Sequence, residues 1–227
     1  MLRANRGRAP HGFTIVEMAV AMAIVLILAA LAFSSVARQR PRANLADTAA
    51  DLQSAIHGAR LRALASGHDV VVMVFPQYAT GQGTGRVIVY EDGSYDFFSA
   101  SGAPSFGGYN AAVLASNAQS QVVSTLDFPR GVTIGPPTGM GSTATLPAPL
   151  AGIDVRRACS FCSTTGDGRG AIKFDGRGRA SFYTANGAPL AIPAGASLSL
   201  TAAPEIEGMR TLAITPVTGA VRTFNNG

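Results

Sequence analysis

Hydrophobicity along this chain changes its period twice. From Met18 to Ala37 the sequence MAVAMAIVLILAALAFSSVA runs for 20 residues without a charge. As an α-helix this segment would reach about 30 Å, the thickness of the hydrocarbon core of a bilayer. Past Pro41, the residues Leu45, Ala49, Leu52, Ile56, Ala59 and Ala63 recur at alternating spacings of four and three. That spacing places them on one stripe of a helix. Asp47, Asp51, Gln53 and Arg62 fall largely off the stripe, so this helix can turn one face to a core and the other to water. Pro41, between the two segments, predicts a kink or a brief interruption, and Gly67 predicts a stop.

Beyond Gly67 the period becomes that of strands. Val70 to Phe75, Arg86 to Tyr90, Ala171 to Phe174, Ala180 to Tyr183, Ser197 to Thr201, Thr211 to Ile214 and Ala220 to Phe224 are short runs rich in β-branched or aromatic residues. Gly, Pro, Asn or Asp bounds them, which predicts an antiparallel, hairpin-connected sheet. From about 99 to 151 the chain is rich in Gly, Ser, Ala and Pro, and it reads as a long variable insertion with a strand near Val132 to Ile134. The fold class expected is α+β. The two Asp-Gly-Arg-Gly copies, at 167 to 170 and 175 to 178, lie too close together to be structural repeats.

Composition narrows the function. The 227 residues carry 18 Lys or Arg against 13 Asp or Glu, a net charge of +5, and Lys173 is the only lysine. With 14% charged and 47% hydrophobic residues, this is no polybasic disordered tail. Two cysteines and three scattered histidines supply little for a metal centre, so no metal and no cofactor are expected. His11 lies near the N-terminus, and His57 and His68 flank the end of the second helical segment without a nucleophile at motif spacing. With no phosphate-binding glycine loop either, no enzymatic activity is expected.

The N-terminus admits two readings. Arg3, Arg6 and Arg8, the apolar run and the small-residue pattern Ala30-Leu31-Ala32 suit a cleavable secretory signal. Glu17 does not, because a carboxylate inside an apolar helix costs about 2.5 kcal/mol or more near the bilayer centre and is retained where something pairs with it. A cut between Gly12 and Phe13 would create such a partner, a charged amine four residues before Glu17.

Gly12-Phe13-Thr14-Ile15-Val16-Glu17, followed by the apolar run, resembles the cleavage and methylation signature of type IV pilins and type II secretion pseudopilins. The resemblance implies that a prepilin peptidase cuts after Gly12, that Phe13 becomes the methylated N-terminus, and that Glu17 pairs with the terminal amine of a neighbouring subunit during filament assembly. It also implies a pilin fold, a long helix whose first half is transmembrane or filament core and whose second half packs on an antiparallel sheet. The expected divisions are a leader at 1–12, a transmembrane helix at 13–37, an amphipathic helix at 38–67 and a β-rich periplasmic domain at 68–227. Arg38, Arg40 and Arg42 balance the leader arginines across the span, so the orientation, leader inside and domain outside, comes from the resemblance and not from charge. Strand order and the ending LAITPVTGAVRTF resemble the H-type minor pseudopilins and the related minor pilins, over roughly residues 170 to 224.

In an oxidising periplasm, Cys159-Ser160-Phe161-Cys162 reads as a short structural disulfide in preference to a redox pair or half a zinc site. Asp175-Gly176-Arg177-Gly178-Arg179 reads as a hairpin turn with solvated arginines, and otherwise as a phosphate contact. Some DNA-uptake minor pilins carry Gly-Arg-x-Arg near the C-terminus; Gly219-Ala220-Val221-Arg222 keeps the glycine and the last arginine but lacks the first. Arg177, Arg179 and Arg222, with Arg210, are therefore the DNA-contact candidates.

The function expected is that of a minor pseudopilin, a non-enzymatic subunit of a type II secretion pseudopilus that assists export of folded proteins. Its expected location is the bacterial inner membrane, with a single pass. The implied partners are other major and minor pseudopilins, the prepilin peptidase, the inner-membrane platform and, indirectly, its assembly ATPase. The alternatives are a minor pilin of a type IV pilus, for assembly initiation or DNA uptake, and an exported globular protein with an ordinary signal. Charge supports the precursor reading. Removing residues 1–12 removes three arginines and no acid, leaving 15 basic against 13 acidic residues.

Overall fold

The computed structural model describes residues 14–81, 83–99, 105–114, 116–135, 145–155, 157–202 and 208–225, with backbone only for 33–39. The chain divides into two compact units, 1–40 and 41–227, and each is described by itself. Helix α1 (Ile15–Ser66) contains Pro41, which does not end it. The interruption expected there is absent, at the cost of one i→i−4 hydrogen bond that proline cannot donate.

In the second unit, α1 buries the stripe read from the sequence: Leu45, Ala49, Leu52, Ile56, Ala59 and Ala63 are each at most 3% exposed. The strands are β1 (Asp69–Ala79), β2 (Thr84–Asp92), β3 (Ser120–Asp127), β4 (Val132–Ile134), β5 (Gly170–Phe174), β6 (Ala180–Tyr183), β7 (Pro189–Leu190), β8 (Ala196–Ala202), β9 (Met209–Ile214) and β10 (Val221–Asn225). The single expected sheet is in fact two, both antiparallel, ordered β3-β2-β1-β5-β6-β7 and β10-β9-β8-β4. The segment 99–151 is likewise more than an insertion, because β3 lies within it and forms one edge of the first sheet. Its sequence, SQVVSTLD, is polar and largely exposed, as suits an edge strand, and it carries little of the alternation that marks a half-buried one.

Strand β1 explains its own composition. Val70, Val72 and Val74 pack with the α1 stripe and with Leu198, Leu200, Leu212 and Ile214 of the second sheet. Val71, Met73 and Phe75 point the other way, into Phe97, Phe106 and Tyr109 from the chain after β2. A strand buried on both faces reads as a continuous apolar run. Pro76, which has no N–H for the ladder, falls where the β1–β2 register shifts, between Phe75 and Ala79. The aromatic cover is pinned by Arg169, whose Nη1 donates to the carbonyls of Phe106 and Tyr109 at 2.9 Å each. Its guanidinium lies 5.0 Å from the Phe75 ring centroid and pairs with Asp167. Leu146, Leu150, Ile153 and Val155 pack with Ala213, and Phe224 lies against them.

The end of α1 is tied to the first sheet through Glu91, which is 6% exposed. It accepts hydrogen bonds from Arg62 Nε at 2.8 Å and from Gln121 Nε2 at 3.5 Å, and its other oxygen lies 3.0 Å from His68 Nδ1. Burial by itself would raise this carboxyl, but the bonds from Arg62, His68 and Gln121 outweigh it and hold the group below the ordinary glutamate value. Gly219, in the β9–β10 turn, has φ +59°, and an added Cβ would lie 2.7 Å from the Gly178 carbonyl oxygen. Gly58, in the interior of α1, has nothing within 4 Å of a Cβ.

These two glycines should respond oppositely to alanine. Gly219→Ala should destabilise the chain by about 1–3 kcal/mol, from backbone strain and the carbonyl contact. Gly58→Ala should stabilise it by up to about 1 kcal/mol. Denaturant midpoints of the full chain in detergent would measure both. Because the folded state lowers the Glu91 carboxyl, its stabilisation is present above the ordinary glutamate value and lost as pH falls through the lowered one. Glu91→Gln should therefore be less stable than the parent at neutral pH, and the gap should close on acidification. Midpoints taken between about pH 7 and pH 3 check it.

Candidate assembly and processing site

The first turn of α1 is built by Thr14. Its carbonyl accepts the Met18 N–H at 3.1 Å, and its hydroxyl accepts the Glu17 N–H at 3.2 Å. Thr14 is thus the N-cap of the helix and Glu17 its third residue, the Thr-x-x-Glu spacing of a capping box. A carboxylate there also faces the positive end of the helix dipole. Glu17 is exposed. The site's other two residues, Gly12 and Phe13, lie outside the described residues.

Every residue from Ile15 to Ala32 is exposed in the isolated chain, and this stretch is long and apolar enough to cross a membrane. Ile15 is 90% exposed and Leu26 69%. An apolar surface of this size marks a membrane or protein contact. The arrangement is a capped helix end with one carboxylate in its first turn, heading a span with no other charge before Arg38.

Residues 7–33 match the family model described as the prokaryotic N-terminal methylation motif. Together with the apolar helix, that match supports a type IV pilin-like protein. No curated protein and no solved structure matches it. A prepilin-type motif implies processing by a prepilin peptidase and assembly into pilus-like polymers, and the helix behind it is consistent with membrane anchoring.

The remaining candidates lie in the second unit. Cys159 and Cys162 are joined as a disulfide with their Cα atoms 5.2 Å apart, both largely buried, and Cys159 forms a bridge with Leu198 of β8. The Asp175–Arg179 segment is the β5–β6 turn. Asp175 Oδ1 accepts the backbone N–H of Arg177 and Arg179, and its Oδ2 accepts Arg179 Nε at 2.9 Å. Burial would raise the Asp175 carboxyl, but these bonds from Arg179 and Arg177 lower it. Arg177 and Arg222 are exposed and Arg210 is half-buried. The turn bearing Arg177 touches the turn before Arg222, through Gly178 against Gly219 and through the Ala180 N–H bonded to the Pro216 carbonyl at 2.9 Å. Arg179 is engaged by Asp175 and Arg60 Nε donates to the Gly178 carbonyl at 3.3 Å, while Arg177 and Arg222 are exposed.

Among the described residues no cluster of three His, Cys, Asp or Glu side chains could hold a metal. His57 is exposed, His68 serves the Glu91 cluster, and His11 lies outside the described residues. The Thr14 cap was missed in the sequence reading although its signal was there, in the capping-box spacing to Glu17. Arg169 and Glu91 gave no such signal, since the Phe106 and Tyr109 carbonyls that Arg169 holds and the partners of Glu91 lie tens of residues away.

Since the disulfide closes a very short loop, its loss should cost less than a long-range bridge would, about 2 kcal/mol. A Cys159→Ser, Cys162→Ser double variant should shift the denaturation midpoint of the full chain by that amount, with the parent showing no titratable thiol.

Proposed function

We propose that this chain is a minor pseudopilin, a structural subunit of a type II secretion pseudopilus. The observation that carries the reading is Glu17 in the capped first turn of an exposed apolar helix, inside the methylation motif. In this reading residues 1–12 are a leader, 13–37 the transmembrane and filament-core helix, 38–67 the amphipathic helix and 68–227 the periplasmic domain. The chain is held in the inner membrane by a single pass. The prepilin peptidase hydrolyses the Gly12–Phe13 bond, the carboxylate leaves with Gly12, and the free amine stays on Phe13, where it is methylated.

That amine and Glu17 then need each other. Each is an ion at the edge of an apolar phase, and an unpaired charge there is costly while a pair is strengthened by the low dielectric. An incoming subunit offers Glu17 to the amine of its neighbour, and their exposed apolar helices pack side by side. The neighbours are other major and minor pseudopilins, raised by the inner-membrane platform and its ATPase. The subunit contributes no chemistry of its own to export, only shape and attachment.

A second reading, a type IV minor pilin that contacts DNA, draws on the contact between the Arg177 and Arg222 turns. It predicts salt-dependent DNA binding, lost on replacing Arg177, Arg179 and Arg222. The pseudopilin reading predicts no such binding.

N-terminal sequencing of the membrane-extracted protein should give Phe13 as its first residue. A start just after Ala32 would instead make the segment an ordinary signal. Glu17→Leu should be cleaved like the parent yet fail to enter the filament, measured by crosslinking to neighbouring subunits and by secretion. Normal incorporation of that variant would remove Glu17 from assembly.

A further inference from the structure

The first sheet has an open edge at β3, and beside it α1 and β3 enclose a groove of about 480 Å³. Among the described residues, Val123 to Asp127 make backbone hydrogen bonds only with β2, so half of their N–H and C=O groups face outwards without a protein partner. The start of the strand is closed differently, since Ser116 Oγ accepts the Val122 N–H at 3.1 Å. Val123, Ser124 and Thr125 are exposed, and no lysine or proline interrupts the strand, so the usual guards of a free edge are missing apart from one register shift near Val122.

The wall of the groove on α1 is made of Ser54, Ala55, Gly58 and Ala59. Gly58 is the telling residue. A glycine inside a helix costs about 1 kcal/mol relative to alanine, and it is usually explained by something pressed against it. Here, among the described residues, nothing lies within 4 Å of a Cβ at Gly58, so no contact among them requires it. The open space faces the groove.

Charge sets the direction of what would fill it. Arg62 binds Glu91, whose β3 partner is Gln121, so Arg62 stands at the start of β3. Asp51 lines the same groove three helical turns earlier, towards Asp127, and the exposed Asp47 lies one turn beyond it. The groove is therefore acidic at the end of β3 and uncharged along its middle, while at the start of β3 Arg62 is neutralised by Glu91.

We infer that β3 and this groove form a docking site for an extended segment of a partner protein, which adds to the sheet as a strand antiparallel to β3. Alternate side chains of that segment, small and apolar, lie over Gly58 and Ala55, and a Lys or Arg near its N-terminal end faces Asp51. Main-chain hydrogen bonds supply the attachment, and the groove supplies the choice of side chains. The site is independent of the N-terminal assembly motif, so its failure would leave the pseudopilin reading standing.

A terminally blocked synthetic peptide, Arg-Val-Thr-Val-Thr-Val-Ser, serves as the probe against the full chain in detergent. Binding should slow amide hydrogen exchange at Val123 to Asp127 and leave the other edge strands, β4, β7 and β10, unchanged. Gly58→Leu, which fills the groove and favours the helix, should weaken binding at least tenfold while the denaturation midpoint stays at or above that of the parent. Asp51→Lys should weaken it less, and the loss should shrink as salt rises. Absence of binding at millimolar peptide, or equal binding by Gly58→Leu, would overturn the proposal. Protection of β3 that grows with protein concentration and needs no peptide would overturn it in favour of a second copy of the chain.

Discussion

Burying β1 on both faces is the constraint from which the second unit is built. Val70, Val72 and Val74 on one side and Val71, Met73 and Phe75 on the other are each at most 1% exposed. Each such side chain contributes about 1.5–3 kcal/mol only if covered, so a central strand of this kind demands a layer above and another below. The α1 stripe and the second sheet supply the inner layer. The outer layer comes from the chain between β2 and β3, the aromatic residues Phe97, Phe106 and Tyr109, with a 3-10 turn at Phe106–Gly108. Holding irregular chain over a sheet leaves carbonyls to satisfy, and Arg169 takes up two of them.

The same accounting gives the opposite result for Ile15 to Ala32. There the side chains are exposed among the described residues, and an apolar helix surface of that size marks a membrane or protein contact. Glu17 sharpens the requirement. Its backbone N–H is satisfied by Thr14, but its carboxylate stands exposed at the head of the apolar surface. A bilayer satisfies the side chains and not the carboxylate; in the proposed assembly, the terminal amine of a neighbouring subunit is what would satisfy it.

Local features were the legible ones. The spacing of Leu45, Ala49, Leu52, Ile56, Ala59 and Ala63 named the buried face of α1 residue by residue, because helical periodicity is a property of the chain alone. Asp175-Gly176 announced the β5–β6 turn for the same reason. The split into two sheets was not legible, since short β-branched runs look alike whichever ladder they join. Strand β3 was hidden by its exposure, and at Pro41 the sequence allowed either a kink or an interruption, of which the continuous helix rules out the interruption. Of the candidate site, Glu17 was conspicuous as the lone charge in an apolar run, and Thr14 was readable from its distance to Glu17.

The sequence by itself determined the apolar N-terminal helix, the motif at Gly12 and Phe13, the position of Glu17 and the inward face of the second half of α1, all from spacings within a few turns. Tertiary structure decided which strands share a sheet, that Arg169 and Glu91 are interior anchors, and that the turn bearing Arg177 meets the one before Arg222. It also decided that β3 is left with an open edge beside Gly58. The reason is physical: periodicity and capping act between residues close in the chain, whereas sheet order, buried ion pairs and free edges depend on which distant segments compete for the same apolar surface.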